Sequence, residues 1–209
     1  MSRYSSKICR RGLLGGIASL TAGAALPGCF PSKGAGAAGA GAGGAAANVL
    51  RYPLTDDPTT LDPGKVEDGT TIDMLQQVYE GLVKWDEKNQ IVPNLAEKWD
   101  ISPDGTVYTF RLKKGVKFHH GREVTAADFK YSMERACDPV LLSPTTGYLR
   151  DIKGAKERIA DKTKGIKDIA GIKAIDPYTL EITVDGFKPY WLGNMTYLIS
   201  YVVCREAIE

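Results

Sequence analysis

Apolar residues alternate with polar ones at Tyr108, Phe110 and Leu112, with Thr109 and Arg111 between them, which is the period-2 signature of a strand with one buried face. A second short run covers residues 99–102, and Pro103-Asp104-Gly105 separates the two, so the spacing predicts a β-hairpin. The same logic joins residues 172–175 to residues 180–184 through Asp176-Pro177-Tyr178-Thr179. The period becomes helical at Ala126, Phe129, Met133 and Ala136. Thr125 is the expected N-cap there, and Asp128 three residues on completes a variant of the capping box. Another helix is predicted from Thr70 or Thr71, with Ile72, Leu75, Val78, Tyr79 and Leu82 as its apolar stripe. Residues 48–53 read as a short strand, 188–197 as a short helix and 198–203 as a buried strand. Trp85, Trp99 and Trp191 lie in apolar patterns and are expected in the core. Helices and strands are segregated rather than strictly alternating, so the expected class is mixed α/β of the α+β kind.

The N-terminus follows neither period. Arg3, Lys7, Arg10 and Arg11, with no acid among them, precede a soft apolar run over residues 12–26 and then Leu26-Pro27-Gly28-Cys29. That order reads as a signal peptide over residues 1–28, the apolar run being too short and glycine-rich for a spanning helix. The last four residues resemble a bacterial lipobox, which implies a diacylglycerol on Cys29 and cleavage before it. An ordinary secretory signal with an incidental Cys29 is the alternative. Arg10-Arg11 also resembles a twin-arginine export signal, so two export routes stay open. Residues 29–47 follow as a tether: from Ser32 to Ala47 the chain is almost wholly Gly and Ala, too poor in apolar surface to offset its ordering entropy. Such a coil spans roughly 20 Å. The expected place is outside the cytoplasm, lipid-anchored on the outer face of the membrane or in the periplasm.

Charge changes the picture only once the leader is set aside. The 209 residues carry a formal +2, but four of the 27 basic residues stand in the first 28 positions, leaving 23 against 25 acidic, about −2. A weakly acidic body lacks the clustered basic face that nucleic-acid binding needs, so no nucleic acid is expected as a partner. Beyond the leader, no stretch reaches the roughly 20 apolar residues of a membrane span.

Candidate chemistry is sparse. The two histidines are His119 and His120, and no Ser-His-Asp arrangement, paired carboxylates or metal cluster accompanies them, so neither enzyme activity nor a cofactor is expected. Neighbours on a strand point to opposite faces, and no Cys or acid stands at ligand spacing, so the pair reads as a variation within a turn rather than a metal site. Cys137 and Cys204 either oxidise to a disulfide in an exported protein or remain two buried thiols.

Several stretches in order carry a family resemblance: Leu61-Asp62-Pro63, Tyr79-Glu80-Gly81-Leu82, Pro93-Asn94-Leu95-Ala96-Glu97-Lys98-Trp99, Val124-Thr125-Ala126-Ala127-Asp128-Phe129 and Ile172-Lys173-Ala174-Ile175-Asp176. Together they resemble the bacterial extracellular solute-binding proteins of family 5, the oligopeptide- and dipeptide-binding lipoproteins of ABC importers. Ser143-Pro144, Tyr148-Leu149 and Pro189-Tyr190 look like the oligopeptide branch. The resemblance implies the N-terminal portion of a two-lobed periplasmic-binding-protein type II fold with an inserted domain, the second lobe being absent. Residues 48–79 would open lobe one, 80–203 would be the inserted domain and 204–209 a truncated return. Members usually run to more than twice this length. The resemblance further implies capture of short peptides through their backbones, delivery to an ABC importer permease, no covalent chemistry and a monomeric complete form. Glu67 aligns with an acidic ligand contact, and Asp68 and Gly69 would offer backbone groups. A solvated loop acid is the alternative for Glu67. Thr145 stands where some relatives carry a cleft-lining tyrosine. A non-peptide ligand (metal chelate, haem or sugar) and a truncated, non-binding lipoprotein remnant are the other functions the sequence leaves open.

Overall fold

The computed structural model describes residues 53–209; the signal peptide, Cys29, the tether and residues 48–52 of the expected first strand lie outside the described residues. In chain order the elements are α1 (Gly69–Leu75), β1 (Val83–Trp85), β2 (Ile91–Pro93), β3 (Ala96–Ile101), β4 (Val107–Leu112), α2 (Ala126–Ala136), α3 (Ala155–Ala160), β5 (Ile172–Asp176), β6 (Thr179–Thr183), α4 (Trp191–Asn194) and α5 (Arg205–Ile208). Single 3-10 turns lie at Thr146–Tyr148 and Leu198–Ser200.

Both predicted hairpins form, and they join through their second strands into an antiparallel sheet of order β3–β4–β6–β5. In the central pairing Tyr108 stands opposite Ile182 and Phe110 opposite Leu180. All four are buried on one face, as the alternation requires. Asp104 shapes the first turn by accepting the hydroxyls of Ser102 and Thr106 at 2.5 and 2.7 Å, while Gly105 takes the left-handed step at φ +69°.

Helix α2 lies against β5 and β6 and buries Ala126, Phe129, Met133 and Ala136, the predicted stripe. Its cap is the expected one: the Thr125 amide and hydroxyl both donate to Asp128 Oδ2 at 2.8 Å. The Ala126 amide donates to the Pro177 carbonyl at 2.8 Å, which fixes the helix start on the β5–β6 turn. The result is a helix-on-sheet, mixed α/β arrangement. Fully buried side chains such as Phe110, Phe129 and Trp191 contribute about 1.5–3 kcal/mol each by leaving water.

Two apolar clusters result. The larger holds the sheet face, α2 and Trp191; the smaller holds Val66, Leu75, Leu198 and Tyr201. One segment serves both: Leu198 and Tyr201 enter the smaller cluster while Ile199 and Val202 enter the larger. Elsewhere three backbone segments meet at Gly171. Its amide donates to Lys153 O, the Lys153 amide to Thr183 O and the Thr183 amide to Gly171 O, all within 2.8–2.9 Å.

Several expectations need correction. Helix α1 begins at Gly69, capped by Asp68, and stops at Leu75; Val78 is more than half exposed, and Leu82 belongs to the larger cluster. The helical stripe continues in sequence, but Gly81 lies where a Cβ would be 2.6 Å from the Tyr201 ring, and the chain turns there to enter β1. Residues 198–203 are buried throughout but form no strand. After the 3-10 turn, the Val202 amide bonds Glu80 O and the Val203 amide bonds Ser132 Oγ, in place of a sheet neighbour. A short buried apolar run carries no period that separates the two outcomes. Of the predicted helix over 188–197, only the single turn α4 is α-helical. Trp191 is fully buried, Trp99 is partly buried against the larger cluster, and Trp85 is 52% exposed on the two-stranded β1–β2 ladder, against expectation. Both described cysteines are free thiols. Cys137 is buried, and burial pushes its thiol up to about 12. No helix among the described residues is long and apolar enough to cross a membrane.

Candidate functional site

The loop from Thr59 to Gly69 is held at both ends by its own acids. Asp62 accepts the Gly64 amide at 2.9 Å and a two-pronged contact from Arg135 of α2, at 3.0 and 2.6 Å. Burial would raise the Asp62 carboxyl, but the Arg135 guanidinium and the Gly64 amide outweigh it and hold it below the usual aspartate range. The Tyr79 hydroxyl donates to Leu61 O at 3.2 Å. At the far end, Asp68 accepts the Thr71 amide at 2.8 Å and the Thr59 hydroxyl at 2.6 Å, while the Thr59 amide donates to Thr71 Oγ1 at 3.0 Å. Between these clamps Val66 is fully buried, so its neighbour Glu67 points outward and is exposed.

The three residues singled out from sequence therefore take different parts. Glu67 makes no side-chain hydrogen bond among the described residues. The Asp68 carboxylate is consumed by the α1 cap and by Thr59. Gly69 opens the helix with open space where a Cβ would stand. The backbone amides of Glu67, Asp68 and Gly69 donate to no carbonyl of the described residues.

Far from this loop in sequence stands an aromatic pair. Tyr148 and Tyr197 stack with centroids 4.1 Å apart and planes 13° apart, and the Asn194 side-chain amide reaches Tyr148 O at 3.4 Å. Burial raises the Tyr197 hydroxyl above the ordinary tyrosine value, and the Tyr148 hydroxyl and, least, the Glu67 carboxylate add to it. Thr145, three positions before Tyr148, has a buried hydroxyl with no partner among the described residues. The stack makes a flat aromatic ledge, and the loop offers one free carboxylate and unused amides. This equipment suits holding a cationic or peptide-like group.

Two concavities lie elsewhere. A cleft of about 550 Å³ runs past Tyr79, Val116, Phe118, His120, Val203 and Ile208, and a hollow of about 290 Å³ adjoins Lys84, Trp85, Asn94 and Tyr201.

Residues 90–205 match the sequence model of the bacterial extracellular solute-binding proteins, family 5, middle region. The chain belongs to that family. Among curated family 5 proteins, it is 38% identical over 164 residues to the probable deoxycholate-binding periplasmic protein YgiS of Escherichia coli, covering 77% of this chain and 30% of that one. It is 38% identical over 152 residues to the periplasmic oligopeptide-binding protein OppA of the same organism, covering 72% and 27%. Among solved family 5 structures, the murein tripeptide binding protein MppA of Escherichia coli superposes with a TM-score of 0.69 at 34% identity, over 74% of this chain and 30% of that one. The chain thus spans under a third of the length of these relatives and resembles the N-terminal portion of periplasmic binding proteins.

The resemblance read from ordered motifs is therefore correct at the level of family and fold. Sequence reasoning missed the Tyr148–Tyr197 stack, because 49 positions separate rings that only the fold brings together. It also missed a meeting of His120 with Cys204 and Glu206, which lie 84 and 86 positions away.

Proposed function

We propose that this chain is the ligand-capturing part of a binding protein that collects short peptides outside the cytoplasmic membrane and hands them to an ABC importer permease, without covalent chemistry. The observation that carries the reading is family 5 membership together with the names of its relatives, OppA and MppA among them. In this reading residues 48–79 begin lobe one, 80–203 are the inserted domain and 204–209 lead back toward lobe one. Glu67 holds a cationic group of the ligand, the amides of Asp68 and Gly69 receive backbone carbonyls, and Tyr148 and Tyr197 supply a surface indifferent to side-chain identity. Cys29 carries the lipid, and residues 29–47 hold the body off the membrane.

A second reading has one observation in its favour: YgiS, as similar as OppA, is named for deoxycholate. An amphipathic acid would use the aromatic ledge and not Glu67.

Calorimetric titration with pools of short peptides and with deoxycholate separates the two. Peptide binding that weakens roughly tenfold in Glu67→Gln is expected, the usual loss for one charge-assisted hydrogen bond. Deoxycholate binding untouched by that substitution supports the second reading. Binding of neither leaves the non-binding lipoprotein. Incorporation of labelled palmitate into the wild-type chain and not into Cys29→Ser tests the anchor separately.

A further inference from the structure

We infer that His120, Cys204 and Glu206 form a binding site for a zinc-type divalent cation, at the edge of the larger cleft. His120 lies in the turn that follows the Lys117 bridge; Cys204 caps α5 and Glu206 is in its first turn. Their ligating atoms all lie within 4.8 Å of one another. Cys204 Sγ is 3.7 Å from His120 Nδ1 and 3.9 Å from Nε2, and the thiol donates to Glu206 Oε2 at 3.1 Å. Tetrahedral zinc, with bonds of about 2.3 Å to sulfur and 2.0–2.1 Å to nitrogen or oxygen, sets its ligand atoms roughly 3.3–3.8 Å apart. The observed separations bracket that range, so one cation reaches all three donors with small side-chain rotations.

The donor set also has the right chemistry. Thiolate, imidazole and carboxylate together favour a borderline cation over magnesium or calcium, which want oxygen alone. On binding, the thiol proton that now points at Glu206 leaves to solvent and the metal takes its place. Arg122 supplies the outer support. Its guanidinium grips both oxygens of Asp128, at 2.8 and 3.0 Å, and holds Glu206 Oε2 at 2.9 Å. A ligating carboxylate oriented by its own hydrogen bond is the usual outer arrangement. The charges close as well: Arg122 and Asp128 cancel, leaving one thiolate and one carboxylate against a dication. His120 further stacks on Phe118, with centroids 5.8 Å apart, which limits its swing. Bound metal would pin α5 to the turn at residues 118–121 and close one side of the cleft.

The test is a cobalt(II) titration of the full 209-residue chain under a non-thiol reductant, followed by displacement with zinc. Expected are one cobalt per chain and a near-ultraviolet thiolate-to-cobalt charge-transfer band that zinc removes. The band should vanish in Cys204→Ser, whose far-ultraviolet circular dichroism should match wild type because the side chain is partly exposed. Cobalt affinity should fall at least tenfold in His120→Gln and in Glu206→Gln. Absence of the band overturns the site. So does a band that survives Cys204→Ser, which would belong to Cys9, Cys29 or Cys137, or one indifferent to His120→Gln, which would be a lone thiol capturing metal.

Discussion

At the scale of single residues, the acids of this protein divide into those consumed by the fold and those left free. Asp62 and Asp68, which accept amides two and three positions on, are consumed, and Glu67 between them is free. This division was only partly legible from sequence. An acid before Gly-Thr-Thr suggests a cap, but the partner of Asp62 is Arg135, 73 positions away. That pair is mostly shielded from solvent, with side chains 18% and 21% exposed, so Arg135→Met should cost about 1.5–3 kcal/mol in urea unfolding near neutral pH. The sign of its pH dependence follows from the lowered Asp62 pKa. The contribution is complete above the unfolded aspartate value of about 3.9 and is lost as pH falls through the lower folded value. The stability gap between wild type and Arg135→Met should therefore hold from pH 7 to pH 5 and shrink below pH 3.

At the scale of elements, the sequence was most legible where period and turn chemistry agreed. The β3–β4 and β5–β6 hairpins and α2 carry a clean period, a Gly or Pro turn and, in α2, a capping pair, and each formed where expected. Helix α1 and residues 198–203 differ because their limits are set by distant partners: the Tyr201 ring over Gly81, and Glu80 and Ser132 as acceptors of amides. Helix α2 should be sensitive at its cap. Asp128→Ala removes both Thr125 contacts and the two-pronged Arg122 contact, while Arg122 keeps Glu206, so a loss of about 1–3 kcal/mol with an unchanged denaturant slope is expected. Gly171 is a second weak point. A methyl there would lie 2.6 Å from Thr183 O and 2.7 Å from Lys153 O, both backbone atoms that cannot swing aside. Gly171→Ala should therefore cost about 1–3 kcal/mol or more, measurable as a lowered Tm, although Gly171 has no left-handed φ to lose.

At the scale of the whole molecule, the two apolar clusters behave as one unit if residues 198–202 couple them. Leu198→Ala and Ile199→Ala open cavities in different clusters, and each should cost about 2–4 kcal/mol. Unfolding followed by tryptophan fluorescence and by far-ultraviolet circular dichroism should still coincide in both variants. Two separated transitions would mean that the clusters melt independently. The family was legible from sequence in part because the motifs at residues 93–99, 124–129 and 172–176 fall in these hairpins and at the start of α2, where local physics is strong. The aromatic ledge and the His120–Cys204–Glu206 meeting were not, because tertiary contacts alone create them.

The threading of residues 198–202 between both clusters also orders events in time. A chain emerging from the ribosome can fold its hairpins early, yet neither apolar cluster can close until this late segment appears.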